Sequence, residues 1–532
     1  MILGVSAFVR FYNLGENSVW VDETNPAFAA KGLIETGVDL LPSGIGYGRA
    51  MIYTHVTAWS ERFFGFNETG IRVPAAVFGI LSILAGYFLT LRIFDRKTAL
   101  VAAAMIGLSG FEIGWSRVAR MYTCLQFLSL CIILLFFWGF ENRNRPTIAS
   151  GRGLLKWHRM LLSQGIHSVW LVAGVVLLGI TATGVHMLSA FLLLGIWIYL
   201  LFRSADSYIF EDDRSKWLNK YSISSLLILI GGILVFFALP SVKAMLDEFL
   251  SYTPSWVQAG TSASDRMALL EFLISPWRFP ISAFFLTGFF FLFIEEKKEG
   301  WLLPLIFGAI FALLSFVFTH REPRYLMPVY PLFLIIAAFG LVRFFEVIFS
   351  QITTEKLPRS GVTKAFVILS IAALFILTPW LRVGLNIPWK ADGSTNMAVT
   401  SEEWKEAAAI LKDRAQAGEV IISSLPQTLL FYKIPSDFVL NQNNLDLSIS
   451  KNIKNKQGNW MDVYTAFPFI ESDSMLTDLI SKTPSGWIVV SDFHLTHDVY
   501  VPGEIAAILN HGNFDVLKTK KGTVSIYHWK HE

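Results

Sequence analysis

The sequence predicts a polytopic α-helical membrane protein that carries a C-terminal α/β domain outside the bilayer. Of its 532 residues, 53% are hydrophobic and only 16% are charged, and the mean hydropathy is +0.50. A soluble domain has roughly 25% charged residues. The apolar residues are also gathered into long runs, as crossing a bilayer requires. This composition excludes a soluble, disordered or disulfide-scaffold protein. The net charge of +3 gives no reason to expect a nucleic-acid partner.

Eleven apolar runs are candidate spans, although the first is too short to cross alone. They are 1–9, 72–91, 98–114, 121–140, 168–184, 187–202, 221–240, 279–294, 301–319, 326–345 and 364–381. One set of alternating loops holds 17 Lys and Arg in 76 residues, and the other holds 11 in 115. The first set is 92–97, 141–167, 203–220, 295–300 and 346–364. Because cytoplasmic loops are rich in Lys and Arg, this set is predicted to face the cytoplasm, as in a plasma (inner) membrane protein.

The chain is predicted to divide near residue 384. Residues 1–384 hold every candidate span and a long outer loop, 10–71, whereas 385–532 hold no span. Thr400 with Glu403 three positions later forms a capping-box pattern, which predicts a helix to about Gln416. Strand and helix patterns then alternate, as in an α/β domain. They are strands 419–423 and 487–490, helices 475–481 and 504–509, and a hairpin over 514–529. The orientation places this domain outside the cell.

Two adjacent acids, Asp22 and Glu23, lie in the first outer loop. Carboxylates beside a membrane are costly to desolvate unless they are paired or used in chemistry. One of them could take a proton from an acceptor hydroxyl as a general base. A solvated acidic helix start is the other interpretation of the same residues. Together with Glu112 they could also hold one divalent ion, although the sequence has no zinc or nucleotide-phosphate motif.

Arginines gather at the outer ends of the predicted helices. The guanidinium group stays charged in a poorly hydrated site and matches the geometry of a phosphate. The candidate phosphate contacts are Arg49, Arg117, Arg120, Arg321 and Arg324. Arg49 precedes an amphipathic stretch, 51–64, that predicts a helix lying along the membrane surface. Structural roles remain open: Arg49 could snorkel, and the arginines of 117–120 could pair with Glu112.

Four further side chains on the outer side are candidate site residues. They are Tyr122, His186, His320 and Tyr325. His186 equally suits a hydrogen-bonded structural histidine. An outward-facing site has no ready supply of nucleotide sugars, which favours a lipid-borne activated donor.

Four segments carry a resemblance to a known class. They are 10–23, which ends in Trp20-Val21-Asp22-Glu23, 72–79, which begins Arg72-Val73-Pro74, Ser116-Arg117-Val118-Ala119-Arg120-Met121-Tyr122, and 323–331, which begins Pro323-Arg324-Tyr325. In this order they resemble the GT-C integral-membrane glycosyltransferases, in particular the dolichyl-phosphate-mannose–protein mannosyltransferases and the lipid A aminoarabinose transferases. The run Ala50-Met51-Ile52-Tyr53 departs from the Pro-Pro-Leu-Tyr of related transferases.

The resemblance implies an inverting glycosyltransferase that needs no cofactor. Its partners would be a polyprenyl-phosphate-linked sugar, the lipid bilayer, and an acceptor hydroxyl on a protein, lipid or glycan. Asp22 would be the general base, Glu23 its partner, and the outer arginines would contact the phosphate. Two alternatives stay open: a non-catalytic scaffold or sensor with a degenerate transferase core, and a lipid or glycan transporter. The long polar first loop argues against the transporter.

Overall fold

The computed structural model describes residues 1–141, 166–210, 219–238, 266–318 without 277, 321–352 and 402–531. Within them, the N-terminal part is a bundle of helices. Its helices are α1 (Ile2–Phe11), α2 (Val21–Thr36), α3 (Met51–Phe64), α4 (Glu68–Ile93), α5 (Arg96–Leu108), α6 (Gly110–Ser116), α7 (Tyr122–Phe140), α8 (Ser168–Gly184), α9 (Leu192–Phe210), α10 (Lys220–Ala238), α11 (Ala268–Ile274), α12 (Phe279–Ile294), α13 (Leu302–Ala312) and α14 (Tyr330–Ile352).

The helices of the bundle identify a multi-pass membrane protein. Five of the described helices are long and apolar enough to cross a membrane, and seven spans result if each of two bent helix pairs is counted as one. Ten of the eleven predicted runs coincide with helices. The eleventh, 364–381, lies outside the described residues. The total of eleven spans therefore stays a prediction.

The predicted continuous run 98–114 is wrong in one respect, because it is broken into α5 and α6. The two helices meet at an angle of 55°. Ser109 has an extended backbone at the break, and its side chain accepts a hydrogen bond from the Glu112 amide. A serine that caps a helix start competes with the continuation of the preceding helix. Beyond the break, the Trp115 ring near the C-terminal end of α6 lies 6.3 Å from the ring of Trp20, the residue that caps α2.

Helix α3 confirms the predicted amphipathic helix at the predicted bounds. Tyr53 and Thr57 are buried against the bundle, while Trp59, Phe63 and Phe64 are exposed. Exposed aromatic side chains on one face of a helix at the edge of a membrane domain suit the interface between lipid and water.

The C-terminal part is an α/β domain, as predicted. Its helices are α15 (Trp404–Arg414), α16 (Pro426–Phe431), α17 (Gln442–Ser450), α18 (Asp473–Lys482), α19 (Asp492–Leu495) and α20 (Gly503–His511). Its strands are β1 (Val420–Ser423), β2 (Phe438–Val439), β3 (Ser485–Ser491), β4 (Asp515–Lys518) and β5 (Val524–Lys530). The sheet order is β2-β1-β3-β5-β4, with β1 parallel to both of its neighbours and β5 antiparallel to β3 and β4.

The predicted capping box before α15 is wrong. The helix begins at Trp404, so Glu403 precedes it instead of lying three positions inside it. The Glu403 carboxylate accepts a hydrogen bond from the Lys521 amide in the turn between β4 and β5. A tertiary contact has therefore taken the acid that the local pattern assigned to the cap. Thr400 lies outside the described residues.

The α/β domain packs on the first loop of the bundle. The Val19 amide donates to the Tyr432 hydroxyl at 2.9 Å, and Lys405 forms a 3.0 Å ion pair with Glu68. The Ser43 hydroxyl donates to the Val463 carbonyl at 2.7 Å. The domain therefore lies at the same end of the bundle as Asp22 and Glu23.

A cluster of ion pairs lies in loops that the sequence predicts to be cytoplasmic. Arg343 in α14 pairs with Glu295 at 2.6 Å and with Asp95 at 3.5 Å. It therefore connects the loop before α5 with the loop after α12, so these two predicted cytoplasmic loops share one end of the bundle.

Glu61 in α3 gives a prediction about pH. Its side chain is buried, and neither carboxylate oxygen has a hydrogen-bond partner. Burial raises the pKa of Glu61 from 4.5 to about 8. Between these values the folded protein keeps a proton that the unfolded chain has lost, so stability falls as pH rises through this window. We expect Glu61→Gln to match the wild type near pH 5 and to be more stable at pH 9 by on the order of 4 kcal/mol.

The measurement is thermal unfolding in detergent at both pH values, with Glu16→Gln as the control because Glu16 is exposed. If Glu61→Gln loses as much stability between pH 5 and pH 9 as the wild type does, the raised pKa of Glu61 is contradicted.

Candidate functional site

The two adjacent acids lie in the first turn of α2, where they have separate environments. Trp20 is the N-cap residue, and the Glu23 carboxylate accepts from the Trp20 amide at 2.9 Å. Acids are favoured in this turn because unpaired amides and the helix dipole attract negative charge. Successive positions on a helix point about 100° apart, which follows from 3.6 residues per turn. The two side chains therefore point in different directions: Glu23 points into the protein, and Asp22 stays partly exposed.

Glu23 forms a buried ion pair with Arg72 of α4. The Arg72 Nε and Nη2 atoms donate to the two carboxylate oxygens of Glu23 at 2.9 and 2.7 Å. The Arg72 side chain is 4% exposed and the Glu23 side chain 1%. The Ala119 amide, in the loop between α6 and α7, donates to Glu23 at 2.6 Å. The remaining Arg72 donors bind the carbonyls of Leu14, Asn17 and Ser18. Four donors thus satisfy Glu23.

Asp22 is the accessible acid, and it faces two arginines. Its side chain is 34% exposed, and one carboxylate oxygen lies 3.3 Å from Arg324 Nη1 and 3.9 Å from Arg120 Nη2. Arg120 also donates to the Asp22 backbone carbonyl at 2.9 Å. Burial by itself would lower the pKa of Arg120, but Asp22 is among the groups that raise it above its ordinary value. The arrangement is a carboxylate beside two fixed cations at a water-accessible surface.

Aromatic rings form one wall of the cluster. The guanidinium of Arg324 lies 5.7 Å from the Trp20 ring and 5.6 Å from the Tyr325 ring. The Arg120 guanidinium lies 5.9 Å from the Tyr122 ring. Cation–π contacts of this kind favour a guanidinium in a fixed position where little water is present. The rings therefore hold the two cations in place without neutralising them.

His186 and Arg49 belong to the same electrostatic environment. The His186 Nδ1 atom accepts from the Leu188 amide at 3.2 Å, and its ring lies 6.3 Å from that of Tyr122. Burial, with a smaller effect from Arg120, Arg324 and Arg49, lowers the pKa of His186 to about 4. The imidazole is therefore neutral at pH 7. Arg49 is exposed just before α3, close enough to His186 and to Tyr47 to affect both.

Two residues of this environment, Tyr47 and Tyr500, were not predicted from the sequence. Burial raises the pKa of Tyr47, with Arg120, Arg49 and Asp22 all acting on it. Tyr500 comes from the α/β domain, and burial, together with the nearby Asp22 carboxylate, raises its pKa to about 12. Neither tyrosine lies in a motif, and Tyr500 is separated from Asp22 by most of the chain. Only the packing of the domain on the first loop brings Tyr500 to the cluster.

The remaining candidates have other surroundings. Arg117 donates to the carbonyls at the end of α1, among them Tyr12 at 2.7 Å and Asn13 at 3.1 Å. Arg321 donates from Nε to the Ser315 carbonyl at 2.8 Å. Glu112 is buried in α6 and accepts from Gln126 at 2.8 Å. His320 lies outside the described residues.

The carboxylates do not fit a divalent ion. Glu23 is occupied by Arg72, Glu112 accepts from Gln126, and Asp22 faces two arginines. Across the part of the chain that the structure describes, no group of three His, Cys, Asp or Glu side chains could hold a metal. Asp22, Glu23 and Glu112 have separate partners in the structure and do not form a common site for one ion.

Comparisons with solved structures establish the class of fold. ArnT from Cupriavidus metallidurans in the apo state aligns with a TM-score of 0.59 and 15% identity, over 99% of this chain and 97% of that one. The Archaeoglobus fulgidus oligosaccharyltransferase aligns with a TM-score of 0.54 and 13% identity, over 99% of this chain and 73% of that one. The chain therefore shares the fold of these two membrane proteins.

Sequence comparisons point the same way. Residues 270–384 match the model of the Alg9-like mannosyltransferase family. An Aquifex aeolicus protein described as uncharacterized is 25% identical over 62% of this chain and 60% of its own length. The undecaprenyl phosphate-alpha-4-amino-4-deoxy-L-arabinose arabinosyl transferase 2 of Pseudomonas fluorescens is 28% identical over 28% of this chain and 27% of its own. The predicted resemblance to GT-C glycosyltransferases is therefore confirmed.

The Glu23–Arg72 pair gives a stability prediction. Removing one partner leaves an uncompensated buried charge, so we expect Arg72→Met or Glu23→Gln to lower the free energy of unfolding by about 3–5 kcal/mol. The double variant should lose less than the sum, because it leaves neither charge unpaired. The check is a double-mutant cycle, with the fraction of monodisperse protein measured after heating in detergent. Additive losses would contradict a direct pair.

Proposed function

We propose that this protein is an inverting glycosyltransferase that moves a sugar from a polyprenyl phosphate to an acceptor hydroxyl on the outer side of the membrane. The observation that carries the proposal is the accessible Asp22 carboxylate beside the fixed guanidinium groups of Arg324 and Arg120. A base within 4 Å of two cations that can bind a phosphate is what a displacement at a sugar phosphate requires. The GT-C fold and the glycosyltransferase family match support the same reaction class.

In the proposed reaction, the donor phosphate binds to Arg120 and Arg324, with Arg49 closing from the loop before α3. Phosphate binding draws Arg324 away from Asp22 and frees the carboxylate to accept a proton. The acceptor oxygen then forms a bond with the anomeric carbon while the bond from that carbon to the phosphate oxygen breaks. Asp22 takes the hydroxyl proton, and the arginines stabilise the polyprenyl phosphate that leaves. Attack from the face opposite the phosphate inverts the anomeric centre.

Some charged residues near Asp22 position the helices and do not touch substrates in this reaction. Glu23 and Arg72 fix the start of α2, and Arg117 fixes the end of α1, through contacts that leave their charged groups occupied. The proposed reaction includes no metal ion, because Asp22 and Glu23 face arginines and Glu112 accepts from Gln126. The outer orientation follows from the loop charges. ArnT has a structure bound to undecaprenyl phosphate, which supports a donor of this kind.

Asp22→Asn tests the base. It keeps the shape of the side chain but cannot take a proton, so we expect the transfer rate to fall by about 10²–10⁴. Proteoliposomes containing the wild type or the variant would receive a panel of radiolabelled undecaprenyl-phosphate sugars, and label leaving the lipid would be followed. Asp413→Asn is the matched control, because Asp413 is exposed on α15.

Equal turnover by Asp22→Asn and the wild type would remove Asp22 as the base but keep the enzyme. A physiological role that survives in Asp22→Asn, together with no turnover of any lipid-linked sugar, would favour the non-catalytic scaffold.

Arg120→Gln and Arg324→Gln test the phosphate site. Each removes a cation from the point where negative charge develops, so we expect kcat to fall by about 10²–10³. Lysine at either position should restore part of the activity, since it keeps the charge but loses the planar fork. Single-turnover release of undecaprenyl phosphate is the measurement, and Arg96→Gln is an exposed control in a predicted cytoplasmic loop. A raised KM with unchanged kcat would mean that the arginines only bind the donor.

A further inference from the structure

The charges around Asp22 limit the sugar that the site can accept. The described site contains three arginines, Arg49, Arg120 and Arg324, and two carboxylates, Asp22 and Glu322. The site therefore has one positive charge in excess before a donor binds. A sugar linked through one phosphate to a polyprenol is a phosphodiester with a single negative charge, which balances this excess.

Neither carboxylate is left for a cationic sugar. Glu322 pairs with Arg324 Nε at 2.5 Å and is only 4% exposed. Asp22 faces Arg324 and Arg120, and the proposed reaction assigns it to the acceptor hydroxyl. Glu23 is buried with its oxygens occupied by four donors. Glu402, the other described acid that acts on Tyr500, accepts from Trp404 Nε1 at 2.6 Å and from the Ser491 hydroxyl at 2.5 Å.

The other polar groups suit an uncharged sugar. The rings of Tyr122 and Tyr325 lie 5.9 and 5.6 Å from the Arg120 and Arg324 guanidinium groups, and Tyr47 is close enough to Arg120 and Arg49 to be affected by both. Tyr500 adds a phenol near Asp22. His186 is neutral, and its Nδ1 accepts from the Leu188 amide, so its Nε2 carries the remaining proton. Phenol and neutral imidazole groups hydrogen-bond to hydroxyls, whereas an ammonium group brought beside three arginines would meet repulsion. The Pseudomonas fluorescens relative is named for an amino sugar that carries such an ammonium group.

We propose that the donor of this protein is a polyprenyl monophosphate that carries an uncharged sugar, and that a donor with a free amino group is rejected. This inference rests on the proposed transferase function and adds the chemical class of the sugar to it. Its basis is the pairing of Asp22 and Glu322 with Arg120 and Arg324, and of Glu23 with Arg72.

The test compares donors that differ only in charge, using the full-length protein in proteoliposomes. One donor is undecaprenyl phosphate-4-amino-4-deoxy-L-arabinose, and its partner is the same molecule with the amine blocked by a formyl group. Undecaprenyl-phosphate mannose, undecaprenyl-phosphate glucose and a diphosphate-linked N-acetylglucosamine complete the panel. Release of the undecaprenyl carrier is followed for each. We expect at least one uncharged monophosphate donor to be consumed, and the formylated donor to react at least 10-fold faster than the free amine.

A charge-adding variant gives an independent readout. Tyr47→Asp places a carboxylate where it can pair with an ammonium group, so it should narrow the ratio between the formylated and free amine donors. Gln457→Asp adds the same charge at an exposed position of the α/β domain and should leave the ratio unchanged.

The outcomes separate the two proposals. If the free amine is consumed as fast as its formylated partner, or if the diphosphate donor is preferred, the inference is overturned and the transferase function stands. If the wild type releases undecaprenyl carrier from no donor, the proposed function falls together with the inference.

Discussion

The buried Glu23–Arg72 ion pair is the contact on which the rest of the site depends. It joins the start of α2 to α4, and Glu23 also binds the loop that carries Arg120. Arg72 binds three carbonyls of the first loop. Three segments distant in sequence thus meet at one carboxylate and one guanidinium. Because every polar atom of the pair has a partner, the usual cost of burying charge is offset and the geometry is fixed.

The site combines satisfied charges with a few that are left accessible. Arg117 and Glu23 form their hydrogen bonds with other groups of the protein. Asp22, in contrast, is about one-third exposed and lies between Arg120 and Arg324. The aromatic rings hold the cations from behind without neutralising them. Such a preorganised site needs little rearrangement when charge develops on a substrate, which is the main source of electrostatic catalysis. The loop that follows the bent pair α5 and α6 supports this site through the Ala119 amide, which donates to Glu23.

Sequence reasoning predicted the elements of this fold better than their connections. Apolar runs marked the helices, α3 was found at its predicted bounds, and strand patterns marked the sheet of the C-terminal domain. The break at Ser109 and the start of α15 were missed because a serine cap and a tertiary contact overruled local patterns. At the candidate site, motifs pointed to Asp22, Arg120 and Arg324, and the structure brings both guanidinium groups within 4 Å of the Asp22 carboxylate. Charge and position do not reveal that Glu23 is occupied by Arg72, or that Tyr500 arrives from the far end of the chain.

The neighbouring acids at the start of α2 have a consequence for their order. Successive residues of a helix are rotated by about 100°. The buried carboxylate of Glu23 and the accessible carboxylate of Asp22 therefore cannot exchange places by a small adjustment of side chains. Their lengths are also matched to their positions, since Glu23 spans the distance to Arg72 and to the Ala119 amide. The order Glu-Asp would therefore not give the same structure as Asp-Glu at residues 22 and 23. A similarity measure that treats the two acids as equivalent would miss the loss of both the anchor and the accessible carboxylate.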